Sequence, residues 1–240
     1  MSSQLTIVMP VYNEAEGIKE FIEEIKQNFK NVQPTILVVD DCSTDSTWSI
    51  LAKMQANSTD LVLLKNEINK GHGQSTLRAL RHGLLGKSSY VMSIDGDGQF
   101  LGAEMFKFYE QFCLSDLNYA EGRRIYRQDP WFRKVISYVT RLLVFVKSRR
   151  RVIDANTPCR IYKTGTLKSL IENIEVNSLV PNLRMSIVAR KEGVEIFYFN
   201  LRNIPRRAKS AQGSTWGSGK TLLPNKRLVT FCTRAIKEFI

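Results

Sequence analysis

The chain has 240 residues, 43% of them hydrophobic and 24% charged, which is ordinary for a globular protein with one substantial core. Four widely spaced cysteines (Cys42, Cys113, Cys159, Cys232) without a CxxC pair, and only His72 and His82 beside them, exclude a zinc site and a disulfide framework, so a reducing compartment is expected. The net charge of +12 is unevenly spread: residues 1–121 hold 10 Lys/Arg against 16 Asp/Glu, and residues 122–240 hold 25 against 7. A surplus kept for solubility predicts an even spread, whereas a basic half joined to an acidic one points to nucleic acid, anionic lipid or a phosphorylated substrate.

In chain order, Met-Ser-Ser-Gln runs into an apolar stretch without a signal-peptide pattern. Residues 5–9 read as a strand ended by Pro10, and residues 14–29 as a helix with Ile18, Phe21, Ile22 and Ile25 on one face. Residues 35–39 form the next strand, stopped by Asp40-Asp41. Residues 46–54 read as helix, 61–64 as strand, 74–85 as helix and 90–94 as a fourth strand, which runs into Asp95-Gly96-Asp97-Gly98-Gln99. Repeated βα units predict a doubly wound α/β fold, a mostly parallel sheet with helices on both faces. Such sheets bind ligands at the carboxyl ends of their strands, and the polar clusters fall at those ends. No stretch reaches the roughly 18–20 apolar residues that span a bilayer.

Neither G-x-G-x-x-G nor G-x-x-x-x-G-K-[ST] occurs at a strand end, which removes two common nucleotide-binding readings. The strand ends are acidic instead, and suit a nucleoside diphosphate held through a divalent metal. Asp95, Asp97 and Gln99 alternate after an apolar strand, so their side chains are expected on one side. Two carboxylates with phosphate oxygens and waters make a hard oxygen site for Mg²⁺ or Mn²⁺. Gly96 and Gly98 permit close approach of a ligand. The plainer reading of the same residues is a polar Asp-Gly turn.

Four motifs in order carry a family resemblance. Val8-Met9-Pro10-Val11-Tyr12-Asn13-Glu14, Val38-Val39-Asp40-Asp41-Cys42-Ser43-Thr44-Asp45-Ser46-Thr47, Asn69-Lys70-Gly71-His72-Gly73 and Asp95-Gly96-Asp97 together resemble the family 2 inverting glycosyltransferases of GT-A fold. Gly122-Arg123-Arg124-Ile125-Tyr126-Arg127, Asp129-Pro130-Trp131-Phe132-Arg133 and the spacing of Asp154 and Arg160 are similar to the polyprenyl-phosphate group, which includes the dolichol-phosphate mannose synthases. The resemblance implies that residues 1–215 form the catalytic domain and 216–240 a basic amphipathic tail. It implies that Pro10, Tyr12, Glu14, Asp41 and Lys70 hold the donor with Asp95 and Gly96, and that Asp95, Asp97 and Gln99 carry the metal. Arg124, Arg127, Arg206 and Arg207 would receive an acceptor phosphate, with Asp97, Asp154 and Arg207 at the catalytic centre. The family's R-x-x-G-x-S-K element is altered here, since a longer Lys-Ser-Ala-Gln-Gly-Ser run follows Arg206-Arg207, and these 240 residues show none of the C-terminal membrane helices of many members.

The acceptor decides what catalysis requires. A sugar hydroxyl needs a carboxylate base. A lipid phosphate, by analogy with phosphoserine, titrates near ~6 and arrives ionised, needing only orientation and charge neutralisation, which arginine forks supply. Asp154 is open to either role, as base or as partner of an arginine. Residues 131–147 place Trp131, Phe132, Val135, Ile136, Val139, Leu142, Leu143 and Val146 at helical spacing, with Lys147 and Arg149-Arg150-Arg151 following. This pattern fits a helix lying in a headgroup plane, although packing on a sheet edge explains the apolar stripe equally. Residues 222–240 repeat the pattern with Leu228, Phe231, Ile236 and Phe239. The expected activity is hexose transfer from a nucleotide sugar to a polyprenyl phosphate at a cytoplasmic membrane face, with an anionic surface and a separate membrane-anchoring subunit as further partners. A hydroxyl acceptor of a polysaccharide or glycolipid is the alternative. A nucleic-acid-binding protein would leave the acidic strand ends without purpose, and nucleic acid is not expected as a partner.

Overall fold

A computed structural model describes residues 4–126, 130–207 and 226–239. Strand β1 (Leu5–Val11) sends alternate side chains to opposite faces: Leu5, Ile7, Met9 and Val11 join one apolar cluster and Val8 the other. β2 (Thr35–Asp40) does the same, with Ile36 and Val38 on the first side and Leu37 and Val39 on the second. β3 (Leu61–Lys65) pairs parallel with β2 and β4 (Tyr90–Ser93) parallel with β1. The first face is covered by α1 (Ile18–Asn28), α2 (Thr47–Ala56) and α4 (Gly102–Leu114), and the second by α3 (His72–Gly83), α6 (Thr164–Glu172) and α7 (Pro181–Lys191). Ile18, Phe21, Ile22 and Ile25 of α1 are fully buried, each contributing about 1.5–3 kcal/mol relative to exposure.

β5 (Tyr119–Ile125), β6 (Arg160–Lys163) and β7 (Ile196–Arg202) extend the sheet to seven strands in the order β3-β2-β1-β4-β6-β5-β7. β6 is antiparallel to both β4 and β5, and the other pairs are parallel, so the expected mostly parallel sheet with helices on both faces is the fold. Two boundaries differ from expectation for local reasons. Pro10 lies inside β1, opposite Val39, and the strand runs on to Val11. Helix α1 begins at Ile18 because Gly17 and Ile18 both donate their N–H to the Glu14 carbonyl, which makes residues 14–17 a turn.

Of the remaining helices, α5 (Trp131–Ser148) packs on α7 through a third apolar cluster of Val144, Val152, Ala155, Leu183 and Ile187, and Phe239, two residues beyond α8 (Lys226–Lys237), packs against it. Of the stripe expected on residues 131–147, Phe132 is buried, but Trp131, Val135, Val139, Leu142 and Val146 are exposed, as are Tyr138 and Phe145. The helix is therefore not covered along its length by a sheet edge. In the tail, Leu228 is buried and Phe239 packs on the body; the Ile236 side chain and residues 216–225 lie outside what is described. Among the described residues no helix is long and apolar enough to cross a membrane.

Candidate functional site

The carboxyl ends of β1, β2 and β4 are laced together by the motif residues themselves. After Val11 the chain turns through Asn13, whose φ of 55° is in the left-handed region that asparagine tolerates. Asn13 N–H donates to Ser43 Oγ (3.0 Å), and its side chain exchanges bonds with Thr44: Thr44 N–H to Oδ1 at 2.9 Å and Nδ2 to Oγ1 at 3.2 Å. Glu14 N–H donates to Thr47 Oγ1 (2.9 Å), and Asp45 accepts from Ala15 N–H (3.2 Å) and Thr47 N–H (2.9 Å). The first two motifs are thus one hydrogen-bonded unit.

Asp41 is almost wholly buried and organises the third motif. Its Oδ1 accepts from Asn66 Nδ2 (2.7 Å) and Lys70 N–H (2.8 Å), and its Oδ2 from Gly71 N–H (2.8 Å). Three donors on one carboxylate make it a scaffold for the loop at residues 69–73. Its neighbour Asp40 differs: Oδ2 accepts from Ser43 N–H (3.2 Å), while Oδ1 is buried without a hydrogen-bond partner, and burial raises its pKa. Sequence reasoning passed over Asp40, and an unmet buried acceptor is the signal that singles it out. Pro10 is buried, Tyr12 half-buried, and the Lys70 side chain exposed beside this loop.

Gly96 brings β4 against β1. Its N–H donates to the Pro10 carbonyl at 3.2 Å, and a Cβ there would lie 2.3 Å from Val11 Cγ1, so no larger residue fits. The turn sets Asp95 and Asp97 side by side near Glu14. Burial, then repulsion from Asp95, pushes Asp97 up to about 6, although Arg206 opposes this. Burial likewise raises Glu14 to about 7, and Asp97 and Asp95 add to the rise against the pull of Arg206. His72 Nε2 lies 3.4 Å from Asp95 Oδ1, a contact the motif reading did not anticipate. Two carboxylates set side by side are donors that a hard divalent cation takes, and Asp95 and Asp97 fit Mg²⁺ or Mn²⁺. Among the described residues no group of three or more His, Cys, Asp or Glu side chains is placed to hold a metal by itself, so further ligands would come from a bound substrate or water. Gln99, expected as a third ligand, directs its amide N–H to the Ile204 carbonyl (3.2 Å).

That bond belongs to a strap formed by residues 203–207, after β7. Ile204 N–H donates to Gln99 O (3.0 Å) and Arg207 N–H to Asp97 O (3.2 Å). The two arginines then diverge. Arg206 grips Glu14 with both Nε (3.1 Å) and Nη2, across the site from Asp97. Arg207 bonds to Glu24 and to Gly98 O (3.2 Å) and lies over the Phe21 ring (5.1 Å). Gly98, at φ 69°, holds a left-handed conformation that residues with a side chain rarely adopt, and Arg207 Cδ packs against its open side. The structure therefore brings Arg206 to the carboxylate cluster and anchors Arg207 against α1.

Arg124 and Asp154 form a two-pronged pair, Nε to Oδ2 at 2.7 Å and Nη2 to Oδ1 at 2.9 Å, both largely shielded from solvent. Asp154 is thus bonded through both of its oxygens to Arg124. Arg127 lies outside the described residues. Arg160 is fully buried and donates to Thr157 O, Tyr119 Oη and Ala155 O at 2.6–2.8 Å. Nearby Glu121 takes two bonds from Arg190, at 2.7 and 3.1 Å, and one from Ser186 (3.1 Å). Burial alone would raise the Glu121 pKa, but Arg160 and Arg190 hold it below its ordinary value. This network braces β5 and α7 and lies in the interior of the fold.

The family model for glycosyl transferase family 2 matches residues 6–174. The chain is 23% identical over 226 residues to the UDP-N-acetylglucosamine–dolichyl-phosphate N-acetylglucosaminyltransferase of Methanococcus voltae, covering 87% of this chain and 88% of that protein. It is 24% identical over 197 residues to the undecaprenyl-phosphate 4-deoxy-4-formamido-L-arabinose transferase of Proteus mirabilis, covering 81% of this chain and 59% of that one. Among solved structures, Staphylococcus aureus TarS 1-349 in complex with UDP superposes with a TM-score of 0.57 at 21% identity, over 83% of this chain and 57% of the other. The mannosyltransferase PcManGT from Pyrobaculum calidifontis, in complex with GDP-Man and Mn²⁺, superposes at 0.59 and 17% identity, over 87% and 59%. These structural likenesses establish the GT-A fold. With the family model spanning well over half of its length and that family's motifs laced together at the strand ends, the chain belongs to glycosyl transferase family 2.

Proposed function

We propose that the protein transfers a hexose from a nucleoside-diphosphate sugar to a polyprenyl phosphate at a membrane surface. The observation that carries this reading is the meeting of Asp95, Asp97 and Arg206 at the carboxyl ends of β1 and β4, where carboxylates for a cation stand beside a guanidinium for a phosphate. Mg²⁺ or Mn²⁺ held by Asp95 and Asp97 would stabilise the negative charge that develops on the leaving diphosphate. The unmet Oδ1 of Asp40 suits an N–H donor of the nucleobase. Arg206, already facing the carboxylates, exchanges Glu14 for a phosphate oxygen when substrate enters. Arg124, fixed by Asp154, is the second cation for an acceptor phosphate, and an acceptor that arrives ionised asks for no base, which accords with Asp154 being engaged by an arginine.

The exposed face of α5 and the cations that follow it suit contact with an anionic membrane, which is where a polyprenyl phosphate resides. A hydroxyl acceptor remains as a second reading because the chain is 27% identical over 175 residues to the poly(ribitol-phosphate) β-N-acetylglucosaminyltransferase TarS of Staphylococcus aureus, covering 28% of that protein. A screen of UDP- and GDP-sugars with polyprenyl phosphate and Mn²⁺, read by product mass, tests the proposal. A glycosylated lipid phosphate is expected; transfer only to a hydroxyl acceptor would overturn the lipid reading.

A further inference from the structure

The loop at residues 69–73 is held from one side by Asp41 and is walled on the other by a segment that Glu238, just beyond α8, fastens. Gly73 is the second residue of α3, after His72, and has no room for a side chain: a Cβ would lie 2.2 Å from Leu179 O and 2.5 Å from Leu179 C. The backbone of Leu179 is therefore the wall. Its N–H donates to Glu238 Oε1 at 2.6 Å. The other oxygen of Glu238 accepts from Ser178 Oγ (3.0 Å) and Arg184 Nε (3.1 Å), and Arg184 Nη2 donates to the Glu238 carbonyl (2.7 Å). The next residue is fastened as well, with Lys147 Nζ on Phe239 O (2.9 Å) and the Arg184 guanidinium over the Phe239 ring (5.3 Å).

We propose that Glu238 is a positioning residue for the donor loop: by gripping Leu179 it fixes the backbone wall that Gly73 rests on, and so holds residues 69–73 in the form that receives the nucleotide sugar. The functional half of this statement rests on the proposed donor site; the mechanical half does not. Glu238 is the only carboxylate bonded to the 178–184 segment among the described residues, and it binds three groups there at once. It reaches them from beyond α8, whose sequence neighbours are remote from every glycosyltransferase motif. Affinity for a ligand falls in proportion to the fraction of protein in the competent form. Loosening the wall therefore raises the donor KM and leaves the acceptor KM untouched.

The test compares wild type with E238Q, and with R184K in case E238Q folds poorly, each checked by circular dichroism. Hydrogen exchange in peptides covering residues 69–76 and 176–184 reads the coupling without any ligand. Both regions are expected to exchange faster in the variants, with a donor KM about 3- to 10-fold higher and kcat and acceptor KM unchanged. Faster exchange confined to 176–184, with residues 69–76 as protected as in wild type, would overturn the proposal. So would a donor KM that stays constant while kcat falls. If no nucleotide sugar is turned over by the wild type, the donor reading fails and the exchange experiment still decides whether Glu238 holds the loop.

Discussion

Asp97→Asn should inactivate the protein while making it more stable, and the structure supplies both the sign and the size. Burial and the adjacent Asp95 raise the Asp97 pKa from its ordinary 3.8 to about 6. A carboxyl group whose folded pKa lies above its unfolded one opposes folding once it must ionise. The cost is absent well below 3.8, grows as pH rises between 3.8 and about 6, and is constant above. At 1.36 kcal/mol per pKa unit the rise corresponds to about 3 kcal/mol, and since Asp97 is only half-buried, water screens part of it and leaves about 1–2 kcal/mol. Asparagine keeps the size and an acceptor oxygen for the Gln99 N–H but cannot ionise. Urea denaturation in chelator should therefore show the variant about 1–2 kcal/mol more stable than wild type at pH 8, with the gap closing toward pH 4. Added Mn²⁺ should stabilise wild type at pH 8 and leave the variant nearly unchanged, and sugar transfer by the variant should be abolished. Equal stabilities at pH 8, or a gap that does not change with pH, would refute the electrostatic reasoning; full transfer by the variant would refute the metal role of Asp97.

Three further outcomes follow from other parts of the molecule. With polyprenyl phosphate as acceptor, Arg206→Ala should lower kcat/KM about 10- to 150-fold, as expected for a charge-assisted hydrogen bond worth about 1.5–3 kcal/mol, and Asp154→Asn should do less; an inactive Asp154→Asn beside a near-normal Arg206→Ala would favour a hydroxyl acceptor. The protein should float with anionic liposomes and release as salt rises, and Leu142→Glu with Phe145→Glu should reduce flotation because both side chains are on the exposed face of α5; unaltered or salt-independent binding would exclude that face. Glu121→Gln leaves Arg160 and Arg190 without their shared carboxylate and should destabilise the fold by about 3 kcal/mol in chemical denaturation, whereas a change below about 0.5 kcal/mol would show that the network is dispensable.

The first half of the fold was legible because its strands and helices differ in period. Residues 5–94 alternate β-branched runs with helices whose apolar side chains recur every three or four positions, and β1 to β4 with α1 to α3 formed where those patterns occur. The second half resisted reading. Strand β6 spans four residues between a loop and a helix and pairs antiparallel on both sides, so neither its length nor a βα repeat announces it. The acidic strand ends and the Asp95-Gly96-Asp97 turn were visible as residues, because a polar cluster after an apolar run is a local signal.

What each polar side chain touches was decided only by the tertiary structure. Asp40 and Asp41 are adjacent and alike in sequence, yet Asp41 takes three donors from a loop about 30 residues away and Asp40 keeps an unmet oxygen. Arg206 and Arg207 are likewise neighbours, and a strap pinned at Gln99 and Asp97 sends one to Glu14 and the other to Glu24. Periodicity in residues 5–94 determined the strands β1 to β4 and the helices between them, and the four motifs carried the resemblance to the family. Which of two adjacent charges faces the site depends on backbone direction at the end of a strand and on partners 25 to 192 residues distant, and a hydrogen bond over that separation leaves no periodic trace in the sequence.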